Sequence, residues 1–185
     1  MNTGAELPKQ LELGEQVARQ MDALWQKSVR DIHKGVVSEY GATLVRGQSN
    51  ELKLVNLVKG TSNSVMLSLD IAEGEEFVGT FHTHPHETAF SDQDFFSTLE
   101  SQEKISLLRS GDETYALVRT DLTSRKVDAA KVREAFDQEV LRCMMDYPGV
   151  SWSGAIYRTN IEMCRRHGLA FYRGRGSSLR EVYRP

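Results

Sequence analysis

The sequence predicts an α/β fold, a mixed sandwich of sheet and helices, and three observations carry that expectation. Short segments rich in β-branched residues cluster in the first half of the chain. Stretches with apolar residues at helical spacing lie before and after them. The tetrapeptide Gly47-Gln48-Ser49-Asn50 separates two strand-like segments at hairpin spacing. At 185 residues the chain is long enough to bury a substantial core, and residues 1–185 are expected to form one domain.

Residues 8–32 read as a helix, because Leu11, Val17, Met21, Leu24, Trp25 and Val29 fall near helical spacing. Residues 36–45 and 51–58 read as the strands of a hairpin, and Gly60-Thr61-Ser62-Asn63 breaks the pattern after them. A short extended piece is expected at 65–69. A further strand at 77–84 ends at Pro85, which cannot donate to a ladder. Ser91 with Asp94 three positions on, just before Phe95, Phe96 and Leu99, has the pattern of a helix N-cap with an acid in the first turn. That helix is expected to run to about residue 108, with Phe95, Phe96 and Leu99 on its buried side. A strand over 114–120 and an amphipathic helix over 127–145 follow. A last helix covers roughly 161–167, its start left open upstream, and a short strand is placed at 169–172.

Composition narrows the functional classes. An apolar fraction of 39% and a charged fraction of 26% fit a globular protein and exclude a disordered one. A net charge of -3 argues against a general nucleic-acid binder, which carries a basic excess. No apolar run approaches a membrane span, and residues 1–15 lack the basic start and apolar centre of a signal peptide, so a cytoplasmic protein is expected. Cys143 and Cys164 fall in expected helices without disulfide or zinc-clip spacing, and read as buried free thiols. Trp152, Tyr157 and Phe171 read as core or lid packing. The Arg-rich C-terminal stretch reads as a solvated face, with an acidic protein or nucleic acid as the alternative contact.

The most informative segment is Phe81-His82-Thr83-His84-Pro85, followed by Ser91-Asp92-Gln93-Asp94. Residues i and i+2 of a strand share a face, so His82 and His84 can present their imidazoles side by side. With Asp94 they make a set of nitrogen and oxygen ligands that suits zinc and leaves a fourth position for water. Such a water is acidified towards neutral pH and becomes a nucleophile. Each part has an ordinary explanation on its own. Isolated histidine pairs occur on surfaces, and capping alone accounts for Ser91 and Asp94. Their concentration is different: three of the five histidines fall between 82 and 86, directly ahead of the cap, and packing gives no reason for it.

His82-Thr83-His84-Pro85 with Ser91 and Asp94 resembles the signature of the JAMM zinc metalloproteases, also called MPN+ or JAB domains. That pattern is His-x-His-Pro, a short loop, then Ser-x-x-Asp. The family's upstream glutamate, in a Glu-x-Gly-x-Leu-like setting, is similar to Glu39-Tyr40-Gly41-Ala42-Thr43-Leu44. The resemblance covers about residues 36–120. It implies an MPN (JAB)-like fold, a mixed, mainly antiparallel sheet sandwiched by helices; outside it lie the N-terminal helix read at about 8–32 and a general C-terminal helical supplement at about 121–185. It also implies one Zn2+ per chain, held by His82, His84 and Asp94. Glu39 would be the general base, and Ser91 would steady the water and the developing oxyanion. Glu39 could not be singled out among the acids without the resemblance; otherwise it is a solvent-facing strand glutamate. The loop from His86 to Phe90 is one residue shorter than the family's most familiar spacing. His86 is a loop histidine or an added contact, and Asp92 competes with Asp94 as the ligand, with cap geometry favouring Asp94.

The family's typical substrates are peptide or isopeptide bonds at the C-terminal tails of ubiquitin-like proteins. The resemblance therefore implies a stand-alone, prokaryotic-type hydrolase acting on a ubiquitin-like or sulfur-carrier protein or its conjugates. Two alternatives stand beside it: a non-catalytic MPN scaffold, and a related metal-dependent enzyme acting on nucleic acid or a small amide.

Overall fold

In the computed structural model, which describes residues 7–86, 88–101 and 103–185, the chain builds a mixed sheet with helices on both faces. The order is β1 (Gln10–Glu12), α1 (Glu15–His33), β2 (Tyr40–Arg46), β3 (Leu52–Lys59), β4 (Glu76–Thr83) and α2 (Asp92–Glu100). Then come β5 (Ile105–Ser110), β6 (Glu113–Arg119), α3 (Ala129–Asp146), α4 (Trp152–His167), β7 (Leu169–Arg175) and β8 (Ser178–Tyr183). Across the sheet the order is β1-β8-β7-β6-β5-β4-β2-β3. Every pair is antiparallel except β4 with β5, which α2 joins as the crossover a parallel pair requires.

Side-chain alternation sends each strand to two cores. Phe81, Leu107, Ala116, Ala170 and Tyr172 pack with Val17, Met21 and Leu24 of α1. Leu108, Leu117, Leu169 and Phe171 face the opposite way, onto Phe95 and Leu99 of α2, Phe136 of α3 and Met163 of α4. Because Phe81 points to α1, its neighbours Thr80 and His82 point to the α2 side. The parity of β4 thus decides which helix layer the histidines meet. The expected α/β sandwich is present, as are the mainly antiparallel sheet and the burial of Phe95 and Leu99, with Phe96 partly buried. Cys143 and Cys164 are buried free thiols. Among the described residues, no helix is long and apolar enough to cross a membrane.

Several expected elements need correction. The helix expected over 91–108 is really α2 followed by β5. Arg119 ends α2 from a distance: its Nη1 donates to the carbonyls of Thr98 (2.7 Å), Leu99 (3.1 Å) and Ser101 (3.2 Å). The apolar run Ile105-Ser106-Leu107-Leu108 buries both faces, and such short runs have no period that separates strand from helix. The N-terminal helix starts at Glu15, not residue 8, because Gln10–Glu12 pairs with β8 and Gly14 turns the chain at φ 80. Helix α4 starts at the Ser151 cap, well ahead of 161, and residues 65–69 join no strand. The C-terminal supplement is not only helical, since β7 and β8 extend the sheet. Trp152 is 59% exposed and does not pack as expected, while Phe171 is fully buried and Tyr157 lies against it.

The β4–β5 pairing depends on a glycine. A Cβ on Gly79 would lie 1.8 Å from the Ile105 carbonyl oxygen, a clash that only backbone movement relieves. Gly79→Ala is therefore expected to cost at least about 2 kcal/mol in urea unfolding. An unchanged midpoint would show that β4 and β5 can separate without loss, and that this pairing is not what fixes the histidine strand.

Candidate metal centre

His82 lies in β4, and His84 lies just past its end but still in register. The His84 N–H donates to the Arg109 carbonyl at 2.9 Å, continuing the parallel pairing with β5. His82 is flanked edge-on by the buried Phe90 ring, with centroids 6.1 Å apart. Asp94 arrives from the first turn of α2. Ser91 caps that helix through its hydroxyl, which accepts from the Asp94 N–H at 3.3 Å. In return the Ser91 N–H and hydroxyl both donate to Asp94 Oδ2, each at 2.7 Å. This capping box fixes one carboxylate oxygen and presents the other to His82.

The polar atoms then converge. His82 Nε2 lies 3.1 Å from His84 Nε2 and 3.1 Å from Asp94 Oδ1, and His84 Nε2 lies 3.3 Å from Asp94 Oδ2. Ligands about 2.0–2.1 Å from a tetrahedral zinc are separated by about 3.3 Å, close to these edges. The tautomer points the same way. His84 Nδ1 is 3.2 Å from the Ala89 carbonyl, an acceptor only, so Nδ1 carries the hydrogen and Nε2 keeps its lone pair. That lone pair faces another imidazole nitrogen and a carboxylate in a buried place. With His82 in the matching tautomer, acceptors converge on one point, an arrangement that suits a cation. His82, His84 and Asp94 could therefore hold a metal ion, and the Ala89 carbonyl is the outer partner that sets a ligand imidazole's orientation.

Glu39 stands 4.0 Å from His84 Nε2 and is 7% exposed. It precedes β2 but is held as if in a strand, its N–H donating to the Thr61 carbonyl and its carbonyl accepting from Gly60, both at 2.8 Å. Ser28 of α1 donates to the Ser38 carbonyl at 2.7 Å, and the Tyr40 N–H donates to Thr83 Oγ1 at 2.9 Å. Gly41 shares a face with Glu39. A Cβ there would meet Leu67 at 2.7 Å and Val65 at 2.9 Å, so its bareness lets the 62–67 segment close beside the acid as one wall of the cleft.

Charge follows geometry. Burial alone would raise the Asp94 carboxyl, yet the two imidazoles hold it well below the usual carboxylate range. Burial pulls His84 down, but Asp94, Glu39 and the Ala89 carbonyl outweigh it and leave it above the ordinary histidine value. Burial pushes Glu39 up, with His82 and His84 opposing. Asp92 turns away to Arg133 on α3, at 2.9 Å, and His86 is exposed in the loop. The structure thus brings together Glu39, His82, His84, Ser91 and Asp94, and leaves Asp92 outside.

Sequence reasoning passed over Asn160 and Glu103. Asn160, on α4, clamps the loop beneath His84. It accepts from the Phe90 N–H at 3.0 Å and donates to the Phe90 carbonyl at 2.8 Å. A polar residue on the apolar face of a helix was the available signal, hidden once that helix was started too late. Glu103 is a buried acid in the same cleft. No family model, curated protein or solved structure matches the chain.

Two outcomes are expected. Asp94→Ala should lower zinc affinity at least about tenfold in calorimetric titration, whereas Asp92→Ala, which loses only an ion pair at the surface, should leave it unchanged. Equal effects would mean that the carboxylate has been misassigned. Asn160→Ala strands a buried N–H and a buried carbonyl, and should lower stability by roughly 2 kcal/mol or more in urea unfolding.

Proposed function

We propose that this chain is a zinc-dependent hydrolase of the JAMM/MPN+ type, cytoplasmic and prokaryotic in kind. In this reading it cleaves peptide or isopeptide bonds at the C-terminal tail of a ubiquitin-like or sulfur-carrier protein. The observation that carries the reading is the convergence of His82, His84 and Asp94 with Glu39 4.0 Å from His84 in an open cleft. The order of helix, hairpin, histidine strand, capped helix and strand also agrees with the arrangement the motif resemblance implies. The buried, unpaired thiols suit a reducing compartment.

A zinc ion held by those three side chains would supply an acidified water and polarise the scissile carbonyl. Glu39 would take the water's proton as the oxygen–carbon bond forms, and return it to the amine nitrogen as the carbon–nitrogen bond breaks. Burial fits Glu39 for both steps, because it raises the carboxylate's proton affinity towards that of its working partners. Ser91 donates its hydroxyl proton to Asp94, so its first task is to hold that carboxylate. Steadying the developing oxyanion would require the proton to turn into the cleft.

The cleft's lining argues against the nucleic-acid alternative. Among the described residues it includes Glu39, Asp94 and Glu103 and neither Lys nor Arg, whereas a phosphodiester needs cationic contacts. Much of the Arg-rich C-terminal region is internally paired, with Arg173 and Arg175 on Glu113, Arg165 on Glu162 and Arg166 on Glu139. A pure scaffold has no use for a complete and buried donor set.

The test is cleavage of ubiquitin-like proteins fused through their C-terminus to a fluorescent leaving group. Wild type with zinc should turn over at least one, and Glu39→Gln should lose about a hundredfold or more in kcat while keeping zinc. Retained turnover in that variant removes Glu39 from the mechanism, and no turnover by wild type across the panel removes the substrate class. Ser91→Ala should cost about 1 kcal/mol in stability from the lost cap, so rate and melting have to be measured together.

A further inference from the structure

Beyond the metal centre the cleft continues along β4 into a pocket floored by Glu103. Thr80, His82 and His84 alternate on one face, so Thr80 lies about 7 Å from His82 along the strand. Thr80 Oγ1 donates to Glu103 Oε2 at 2.7 Å and lies 3.4 Å from Ser106 Oγ, its partner across the parallel pair. Ser97 and Ser101 line the same end, and the Glu103 N–H donates to Ser101 Oγ at 3.4 Å. Glu103 is 2% exposed, and among the described residues no Lys or Arg pairs with it. Its surroundings are the hydroxyls of Thr80, Thr98 and Ser101, the His82 imidazole and open cleft, so its nearest cation-capable neighbour is one that the metal centre already engages.

A buried carboxylate without a cation is costly, far more so than a buried amide. If Glu103 served only as an anchor for Thr80, glutamine would accept the same hydrogen bond without the burden of a charge. Burial accordingly pushes the Glu103 carboxyl up, opposed by its hydroxyl partners. A cation that arrives with the substrate removes this mismatch.

We propose that Glu103, with Thr80 and Ser106, forms a subsite for the ammonium or guanidinium group of a basic substrate side chain. The inference rests on the hydrolase reading, with the basic residue placed next to the scissile bond. The about 7 Å from His82 to Thr80 along β4 is a distance that an extended Lys or Arg side chain can span. Hydroxyls at Thr80 and Ser106 take up ammonium hydrogens that one carboxylate leaves free, and the lack of any lining Lys or Arg keeps the subsite selective for cations. Glu103 acts here on specificity and touches no reacting atom.

The probe is Nα-acetyl-lysine methylamide against its Nε-acetylated, neutral counterpart, titrated into zinc-loaded protein and followed by NMR. The lysine compound should bind at least tenfold more tightly to wild type. Glu103→Gln should abolish that preference without lowering the melting temperature or the zinc content. Equal affinity of the two compounds for wild type, or a lysine preference that survives in Glu103→Gln, overturns the proposal. If Glu103→Gln does not fold, the wild-type comparison decides alone. Because binding is read without turnover, lysine preference in a protein that cleaves none of the ubiquitin-like panel would support the subsite and remove the proposed substrate class. Cleavage without lysine preference would do the opposite.

Discussion

The candidate site depends on Asp94 answering to two partners at once. Its Oδ2 completes the capping box with Ser91, and its Oδ1 reaches His82. The first contact is helix chemistry: an acid at the third position satisfies a backbone N–H that the helix start leaves open. The second is site chemistry: the same acid closes, with two imidazoles, a donor set that could hold a metal ion. Because one side chain serves both, the direction of α2 and the position of the carboxylate are fixed together. The two histidines explain why this carboxyl stays ionised in a place where burial works against charge.

The sheet supplies the other half of the constraint. The parallel pairing of β4 with β5 continues past His82 to the backbone of His84, so both imidazoles are carried by hydrogen-bonded chain rather than by a free loop. Rigid elements hold a site more accurately than loops do. Where the loop does contribute, at Ala89 and Phe90, Asn160 of α4 pins it from beneath. Glu39 is fixed in the same manner from the opposite side, between Ser28 of α1 and Thr83 of β4. The cleft therefore lies on the α2 side of the sheet, between α2, the 62–67 segment and the end of a parallel pair.

Much of this was legible in the sequence, for identifiable reasons. The two-residue spacing of His82 and His84, the Ser91–Asp94 cap and the burial of Phe95 are local patterns, and local patterns survive being read one segment at a time. The end of α2 was not legible, because the group that ends it, Arg119, lies on another strand. Strand β1 was read as helix because its pairing partner, β8, lies at the far end of the chain. Residue Glu39 required the motif resemblance, since nothing local marks one acid among many. Glu103 could not be found at all, for its significance is burial beside Thr80, a contact that exists only after β4, α2 and β5 are assembled.

The chemistry assigned to the cleft turns on whether three converging acceptors hold a metal ion or only share a proton. A metal ion or a shared proton can lie between His82, His84 and Asp94, but only a metal activates water. Elemental analysis of the chain purified without added zinc separates the two. The account predicts about one zinc per chain, the stoichiometry of a single three-ligand site. No zinc in the purified protein, with none taken up on titration, would contradict it and leave a hydrogen-bonded His82–His84–Asp94 cluster in a scaffold.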